Sequence, residues 1–101
     1  MPSRVELQTI LENLLGSSYV YFQPPESIKM QYPCIVYSRN TARTSFADNR
    51  PYAHHTGYQL TVIDKNPDSE IPGRIAALPL CSFSNHYTKD NLNHDIFTIY
   101  Y

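Results

Sequence analysis

The chain has 101 residues, which suffices for one domain with one hydrophobic core and leaves no room for a second. Hydrophobic residues make up 42% of it and charged residues 17%, a composition that excludes a disordered tail or linker. The formal net charge of −1 provides no overall positive field, which argues against a dedicated nucleic-acid binder.

The first predicted element is a helix over residues 4 to 15. Ser3 followed by Glu6 fits a capping box at a helix start, and Gly16 is a typical stop. Between these residues, apolar side chains recur at helical spacing at Leu7, Ile10, Leu11 and Leu14. The pattern predicts an amphipathic helix whose apolar stripe covers a sheet.

Three β-prone runs follow. Tyr19–Phe22 is short and ends at Gln23 and a proline pair, and Cys34–Tyr37 starts directly after Pro33. Tyr58–Asp64 alternates apolar and polar side chains, as a strand with one buried face does. We expect the second and third of these strands to pair antiparallel.

The remaining elements are a second helix and a hairpin. Glu70 and Pro72 suit a first helical turn, so a short helix is expected from about residue 70 to 78, with Pro79 as its stop. Cys81–Lys89 and His94–Tyr101 are predicted strands around a turn at residues 90–93. The order predicts a single domain over residues 1–101 of class α+β, an antiparallel β-sheet flanked by two helices.

The aromatic residues are mostly tyrosines, with nine Tyr, four Phe and no Trp. Tyrosine joins an apolar ring to a polar tip, so it suits strands with one wet face and contacts between subunits. No apolar run approaches the roughly 18 residues that cross a bilayer, and the N-terminus lacks the order of a signal peptide. We therefore expect no membrane contact and a protein that stays in the compartment where it is made, the host cytoplasm.

No pattern in the chain matches a catalytic or metal site. The nucleophile elbow, the glycine-rich phosphate loop and the zinc-protease motif are all missing. His54 and His55 point to opposite faces of an extended chain, and His86 and His94 flank the last hairpin without the further ligands that zinc needs. We expect no catalytic residue, no cofactor and no metal ligand, and hence no enzyme.

The two cysteines, Cys34 and Cys81, both lie in apolar β-prone runs. Two are too few for a disulfide framework, and a cytosolic compartment keeps thiols reduced. We expect both to be buried structural thiols.

The stretch from Arg39 to Gly57 lacks periodicity and is longer than a hairpin loop of about 2 to 5 residues. It mixes arginine and aromatic side chains, which is typical of interface hot spots and of single-stranded nucleic-acid grooves. Its candidate interface residues are Arg39, Arg43, Phe46, Arg50 and Tyr52. From the residues alone it is a solvated loop, a projecting arm or long β-hairpin that contacts another protein, or a nucleic-acid contact.

Six stretches spread over nearly the whole chain carry a resemblance to a known family. They are Val20–Pro25, Met30–Tyr37, Ala47–Tyr52, Val62–Asp64, Pro67–Ser69 and Asp90–Asp95. Together they resemble tail terminator (tail completion) proteins of long-tailed bacteriophages, small neck proteins that are also described as minor capsid or tail components.

The resemblance implies a sheet flanked by helices and a structural virion protein in the tail-neck region. Such a protein forms a ring of six copies that caps the tail tube, stops its elongation and offers the joining surface for the head. The implied partners are further copies of the chain, the tail tube protein and a head connector or completion protein, with passing contact to phage DNA in the lumen. Sequence alone does not show the heterologous pairing of surfaces that a ring requires.

Three rival functions follow from the same residues. The first is another neck component, such as a head completion, connector or minor capsid protein. The second is a small cytoplasmic binding module that acts as a monomer or dimer and forms no ring. The third is a small hydrolase, which the missing motifs disfavour.

Overall fold

The computed structural model describes residues 3–40 and 56–101. Helix α1 spans Arg4–Leu15 and helix α2 spans Ile71–Ala76. The five strands are β1 (Val20–Phe22), β2 (Cys34–Arg39), β3 (Gly57–Asp64), β4 (Cys81–Lys89) and β5 (Leu92–Tyr100). The predicted α+β class is confirmed, with two helices and one sheet in the described ranges.

The ends of α1 follow from its terminal residues. The side chain of Ser3 accepts a hydrogen bond from the Glu6 backbone N–H at 3.2 Å, which satisfies one of the free donors of the first turn. Gly16 adopts φ 83°, a left-handed conformation that glycine enters without strain, and its N–H closes the last turn on the Glu12 carbonyl. The predicted helix boundaries are confirmed.

Within the described residues the strands lie in the order β1-β2-β3-β5-β4, so β1 and β4 are the two edges of this part of the sheet. The pairs β2–β3, β3–β5 and β5–β4 are antiparallel, as expected for β2 with β3. The pair β1–β2 is parallel, which makes the sheet mixed where the sequence predicted an antiparallel one. The connection over residues 23–33 returns the chain to the end of the sheet where β1 began, so β2 runs in the same direction.

Both helices pack on one face of the sheet, here called the helix face. The core joins Leu7, Leu11 and Leu15 of α1 to Ile71 and Ile75 of α2. The strand residues that complete this core are Val20, Ile35, Tyr37, Tyr58, Leu60, Val62, Phe97 and Ile99. In β3 these residues alternate with Gln59 and Thr61, so the strand shows the two-residue period that the sequence indicated.

The later elements differ from their predicted bounds by a few residues. Helix α2 is shorter than the predicted 70–78, and its last turn closes through a bond from the Leu78 N–H to the Ile75 carbonyl at 3.0 Å. Strands β4 and β5 are joined by Asp90 and Asn91, which have φ 54° and 62°. Two consecutive residues with left-handed φ form a tight two-residue turn whose twist matches that of the flanking strands. Strand β5 therefore begins two residues earlier than predicted.

Candidate interface at the open edge of the sheet

The β1 edge of the sheet is closed by groups of the same chain. Val20 has its backbone N–H bonded to the Ser18 carbonyl at 2.8 Å. Its carbonyl accepts a hydrogen bond from the side-chain nitrogen of Gln8 at 3.0 Å. These two bonds occupy both outward backbone groups of Val20, the first of the three residues of β1.

Gln8 is held in that position by a buried tyrosine. The Tyr37 hydroxyl donates to the Gln8 amide oxygen and accepts a bond from the Arg4 guanidinium at 3.3 Å. The Gln8 nitrogen also donates to the Glu12 carboxylate at 3.1 Å. Burial raises the pKa of Tyr37, although the hydrogen bond and charge of Arg4 act in the opposite direction. The phenol therefore keeps its proton and remains a donor to Gln8.

The side chain of Phe22 on the same edge is covered as well. The Arg4 guanidinium lies 4.4 Å from the centroid of the Phe22 ring, in a cation–π arrangement. The Phe22 ring also contacts that of Tyr37, with 4.9 Å between the centroids. Helix α1 therefore shields both the backbone and the ring of β1.

The β4 edge is long and exposed. Strand β4 has nine residues, and every one of them after Cys81 is exposed. The Tyr100 N–H donates to the Leu80 carbonyl, so in the alternating antiparallel ladder the backbone groups of Cys81 and Phe83 point away from β5. Beyond the bulge between Phe83 and Asn85, the two-residue turn sets the same alternation for His86 and Thr88. The outer side of β4 thus offers a row of donors and acceptors to another chain.

The side chains along β4 divide between the two faces of the sheet. Phe83 lies on the helix face, 57% exposed, and contacts Phe97 edge-on with 5.5 Å between ring centroids. On the other face the Tyr87 ring stacks on His94, with centroids 4.5 Å apart and planes 8° from parallel. The β4 edge therefore carries one aromatic ring on each face, which suits a protein contact.

An apolar cleft of about 300 Å³ lies beside the start of β4. Its walls come from α1, the α2–β4 connection and the end of β5: Glu6, Leu7, Ile10, Leu78, Pro79, Leu80, Ile99, Tyr100 and Tyr101. At its rim the Tyr101 hydroxyl donates to the Glu6 carboxylate at 3.5 Å. Desolvation, and then the charge of Glu6, raises the pKa of Tyr101, so this hydroxyl stays protonated. The cleft can accept an apolar side chain with a cationic neighbour.

The two cysteines differ in their surroundings. Cys34 is fully buried, and this burial raises the pKa of its thiol to about 12. Cys81 is only half-buried at the start of β4, so the expectation of two buried thiols is confirmed for Cys34 alone. Burial raises the pKa of Cys81 as well, which disfavours a reactive thiolate at either position.

Among the sequence-predicted interface residues, the structure describes Arg39. It ends β2 as an exposed residue, and its backbone N–H donates to the side-chain oxygen of Gln23 at 3.2 Å. The other candidates, Arg43, Phe46, Arg50 and Tyr52, lie outside the described residues. The same holds for His54 and His55.

The remaining histidines lie on opposite faces of the hairpin. His86 bonds the Asp95 carboxylate at 2.7 Å on the helix face, whereas His94 is on the face that carries Tyr87. Within residues 3–40 and 56–101, no three His, Cys, Asp or Glu side chains come together as metal ligands do. No helix in the described part of the chain is long and apolar enough to cross a membrane.

Sequence reasoning missed the open edge and the cleft. The hairpin strands were predicted, but which strand lies at an edge depends on the order of all five, and no local pattern encodes that order. The available indication was composition: Cys81–Lys89 holds a single Lys and no Pro, so it lacks the usual protection of an edge strand.

Comparison with known proteins adds no relative. No protein-family model matches the chain, and neither the curated proteins nor the solved structures contain a match.

Proposed function

We propose that the chain is a structural virion protein of a long-tailed bacteriophage, a tail terminator that caps the tail tube as a ring of six copies. In this role it stops tail elongation, provides the surface that the head connector meets, and carries out no catalysis. The proposal is supported by the resemblance of six stretches along the sequence and by the α+β fold that this resemblance implies.

The observation that carries the proposal is the contrast between the two sheet edges. A ring requires a heterologous contact, in which one surface of each copy meets a different surface of the next. Among residues 3–40 and 56–101, the outer backbone groups of β4 pair with no other strand and the Phe83 ring is exposed, whereas the β1 edge is occupied by Gln8 and Arg4. Because the two edges differ, a subunit of this kind favours head-to-tail contacts in which β4 is one of the two surfaces.

The stretch from Arg39 to Gly57 remains a candidate arm that grips an adjacent subunit or the neighbouring ring. Its ends are joined at one end of the sheet, where the Asn40 N–H donates to the Gly57 carbonyl at 2.8 Å and Thr56 exchanges two backbone bonds with Tyr101. A short turn can therefore connect β2 to β3 without the residues between.

This geometry supports a direct test of the arm. Replacing residues 42–54 with an Asn-Gly turn is expected to preserve circular dichroism and cooperative melting while blocking ring formation or head joining. If the shortened protein still caps tails and gives infectious particles, the segment is a spectator loop.

The decisive experiment locates and counts the chain in particles. Electron microscopy of particles with a labelled copy should place six copies at the junction of tail and head, and removal of the gene should give tails of uncontrolled length. Twelve copies at the portal, with tails of normal length, would favour the head completion or connector alternative.

A small cytoplasmic binding module is the second candidate. The cleft of about 300 Å³ favours it, since a pocket of this size suits a short segment of a partner or a small ligand. This candidate is distinguished by a monomer or dimer in solution and by the absence of the chain from purified particles.

A further inference from the structure

Among the described residues, the cleft beside β4 has apolar walls and one charged group. Apart from Glu6, the lining residues are aliphatic or tyrosine: Leu7, Ile10, Leu78, Pro79, Leu80, Ile99, Tyr100 and Tyr101. The neighbouring arginines are engaged elsewhere, since Arg4 contacts Phe22 and Tyr37, and Arg74 bonds Glu70 and the Leu14 carbonyl. The cleft therefore selects an apolar side chain that is accompanied by a positive charge.

Among the described residues, one large exposed apolar side chain is followed directly by a positively charged residue. The large exposed hydrophobic residues are Val5, Tyr19, Ile28, Phe83 and Tyr87. Only Ile28 is followed directly by a cation, Lys29, which is also exposed. The aromatic alternatives on β4 are held in place, because Phe83 packs on Phe97 and Tyr87 stacks on His94.

Ile28 lies on a turn with fixed ends. Its N–H bonds the Pro25 carbonyl at 3.1 Å, and the connection between β1 and β2 is tied to the sheet where the Gln31 N–H donates to the Tyr21 hydroxyl at 3.3 Å. At the other end Gln23 bonds the Tyr37 carbonyl at 2.9 Å. The turn thus presents Ile28 and Lys29 from an anchored loop, which lowers the entropy that docking costs.

We propose that the cleft receives Ile28 from a second copy of the chain, with Lys29 of that copy beside Glu6 at the rim. The inference rests on the proposed function, since a ring needs two different surfaces on each copy, and the Ile28 loop and the cleft are such a pair. Ile28 supplies the buried apolar anchor, and the Lys29–Glu6 pair sets the register at the solvent-exposed rim.

The first experiment exchanges the charges. Glu6→Lys and Lys29→Glu should each weaken self-association of the purified chain about five-fold, the range of an exposed ion pair, and the double variant should recover most of that loss. Glu26→Lys is the matched control, because Glu26 is exposed in the same turn and should leave association unchanged or slightly stronger. Ile28→Ser should weaken association at least about ten-fold through loss of the anchor.

The second experiment identifies the contact without relying on a destabilising change. A photoreactive benzoylphenylalanine at position 28 should form a covalent link to residues 7–10 or 78–80 of another copy, in concentrated protein or in assembled particles. Position 28 is exposed in a turn, so the fold tolerates this replacement.

The outcomes separate this inference from the proposed function. The Ile28–cleft contact is overturned if position 28 forms links to other surfaces, even if the chain forms a neck ring. It is also overturned if no link forms in particles and none forms at about 1 mM protein. The expected links in a protein that is absent from phage necks would support the contact and overturn the tail-terminator proposal.

Discussion

The two edges of the sheet are built in opposite ways. Strand β1 has three residues, and α1 covers it: Gln8 bonds its carbonyl, Arg4 lies over its Phe22 ring, and Tyr37 holds both side chains. Strand β4 has nine residues, and within the described part of the chain no helix side chain bonds its outer backbone.

This difference concerns how well each edge of the sheet is protected against pairing with a further strand. Proteins protect exposed edges with short strands, charges, prolines, bulges or covering groups. The β1 edge uses length and covering groups, whereas β4 has one bulge and one lysine at its end. Within the described residues, β4 is therefore the less protected edge, and the predictions below separate the two edges experimentally.

The largest expected effect comes from comparing two single proline substitutions at adjacent positions of β4. Tyr87 faces His94 in a hydrogen-bonded pair, so Tyr87→Pro removes a ladder bond and should lower the free energy of unfolding by about 3 kcal/mol. Thr88 directs its N–H outward, so Thr88→Pro should cost less than about 1 kcal/mol. Urea unfolding followed by circular dichroism measures both.

Hydrogen exchange of the unmodified protein gives the control for that pair. The amides of Phe83, His86 and Thr88 should exchange quickly, and those of Ser82 and Tyr87 slowly. Equal destabilisation by the two prolines, together with uniform exchange along β4, would mean that the outer backbone is already paired.

A second comparison uses the phenylalanine on each edge. Phe22→Ala removes ring contacts with Tyr37 and Arg4 and should lower the free energy of unfolding by roughly 2 to 3 kcal/mol. Phe83→Ala removes a ring that is mostly in solvent, so about 1 kcal/mol is expected. Thermal melts of the two variants test this order, and a larger loss at Phe83 would indicate that β4 is buried in the isolated protein.

The third prediction concerns Gln8, whose side chain bonds the outward carbonyl of β1. Gln8→Ala leaves the Val20 carbonyl and the Tyr37 hydroxyl without this partner and should cost about 2 kcal/mol. Asn13→Ala on the exposed side of the same helix is the control, expected within about 0.5 kcal/mol of the unmodified protein. An equal effect at both positions would show that the closure of β1 does not depend on the side chain of Gln8.

The sequence was sufficient to predict the elements whose conformation is determined by residues close together in the chain. The Ser3 cap, the apolar spacing of α1 and Gly16 determine one helix, and Asp90 and Asn91 form a tight turn between β4 and β5. The direction of β1 was missed because a three-residue strand has no pattern that distinguishes parallel from antiparallel pairing. That direction is set by the path of residues 23–33 and by bonds to α1, a helix distant in sequence from β2.

The candidate site was less predictable for the same reason. Arginine and aromatic composition indicated the stretch from Arg39 to Gly57, and for all of that stretch the interface hypothesis stays a prediction. The open edge and the cleft arise only after α1, the α2–β4 connection and the end of β5 meet. Such surfaces depend on long-range order, and local propensity does not report it.

The smallest expected effect distinguishes the two cysteines: Cys34 begins β2, the neighbour of the closed edge strand, and Cys81 begins β4, the open edge strand itself. Cys34→Ala and Cys81→Ala should each cost about 1 kcal/mol and leave the fold intact.

The pKa of Cys34 is raised to about 12, so above the ordinary thiol value near 9 the unfolded chain releases a proton that the folded chain keeps. The contribution of this thiol to stability is therefore complete below that value and is lost as the pH rises towards 12. Unfolding at about pH 8 and about pH 10 should show a shallower alkaline loss in Cys34→Ala than in Cys81→Ala. Iodoacetamide should modify Cys81 before Cys34 in the folded protein. Faster modification of Cys34 would mean that β2 is less protected than the closed β1 edge implies.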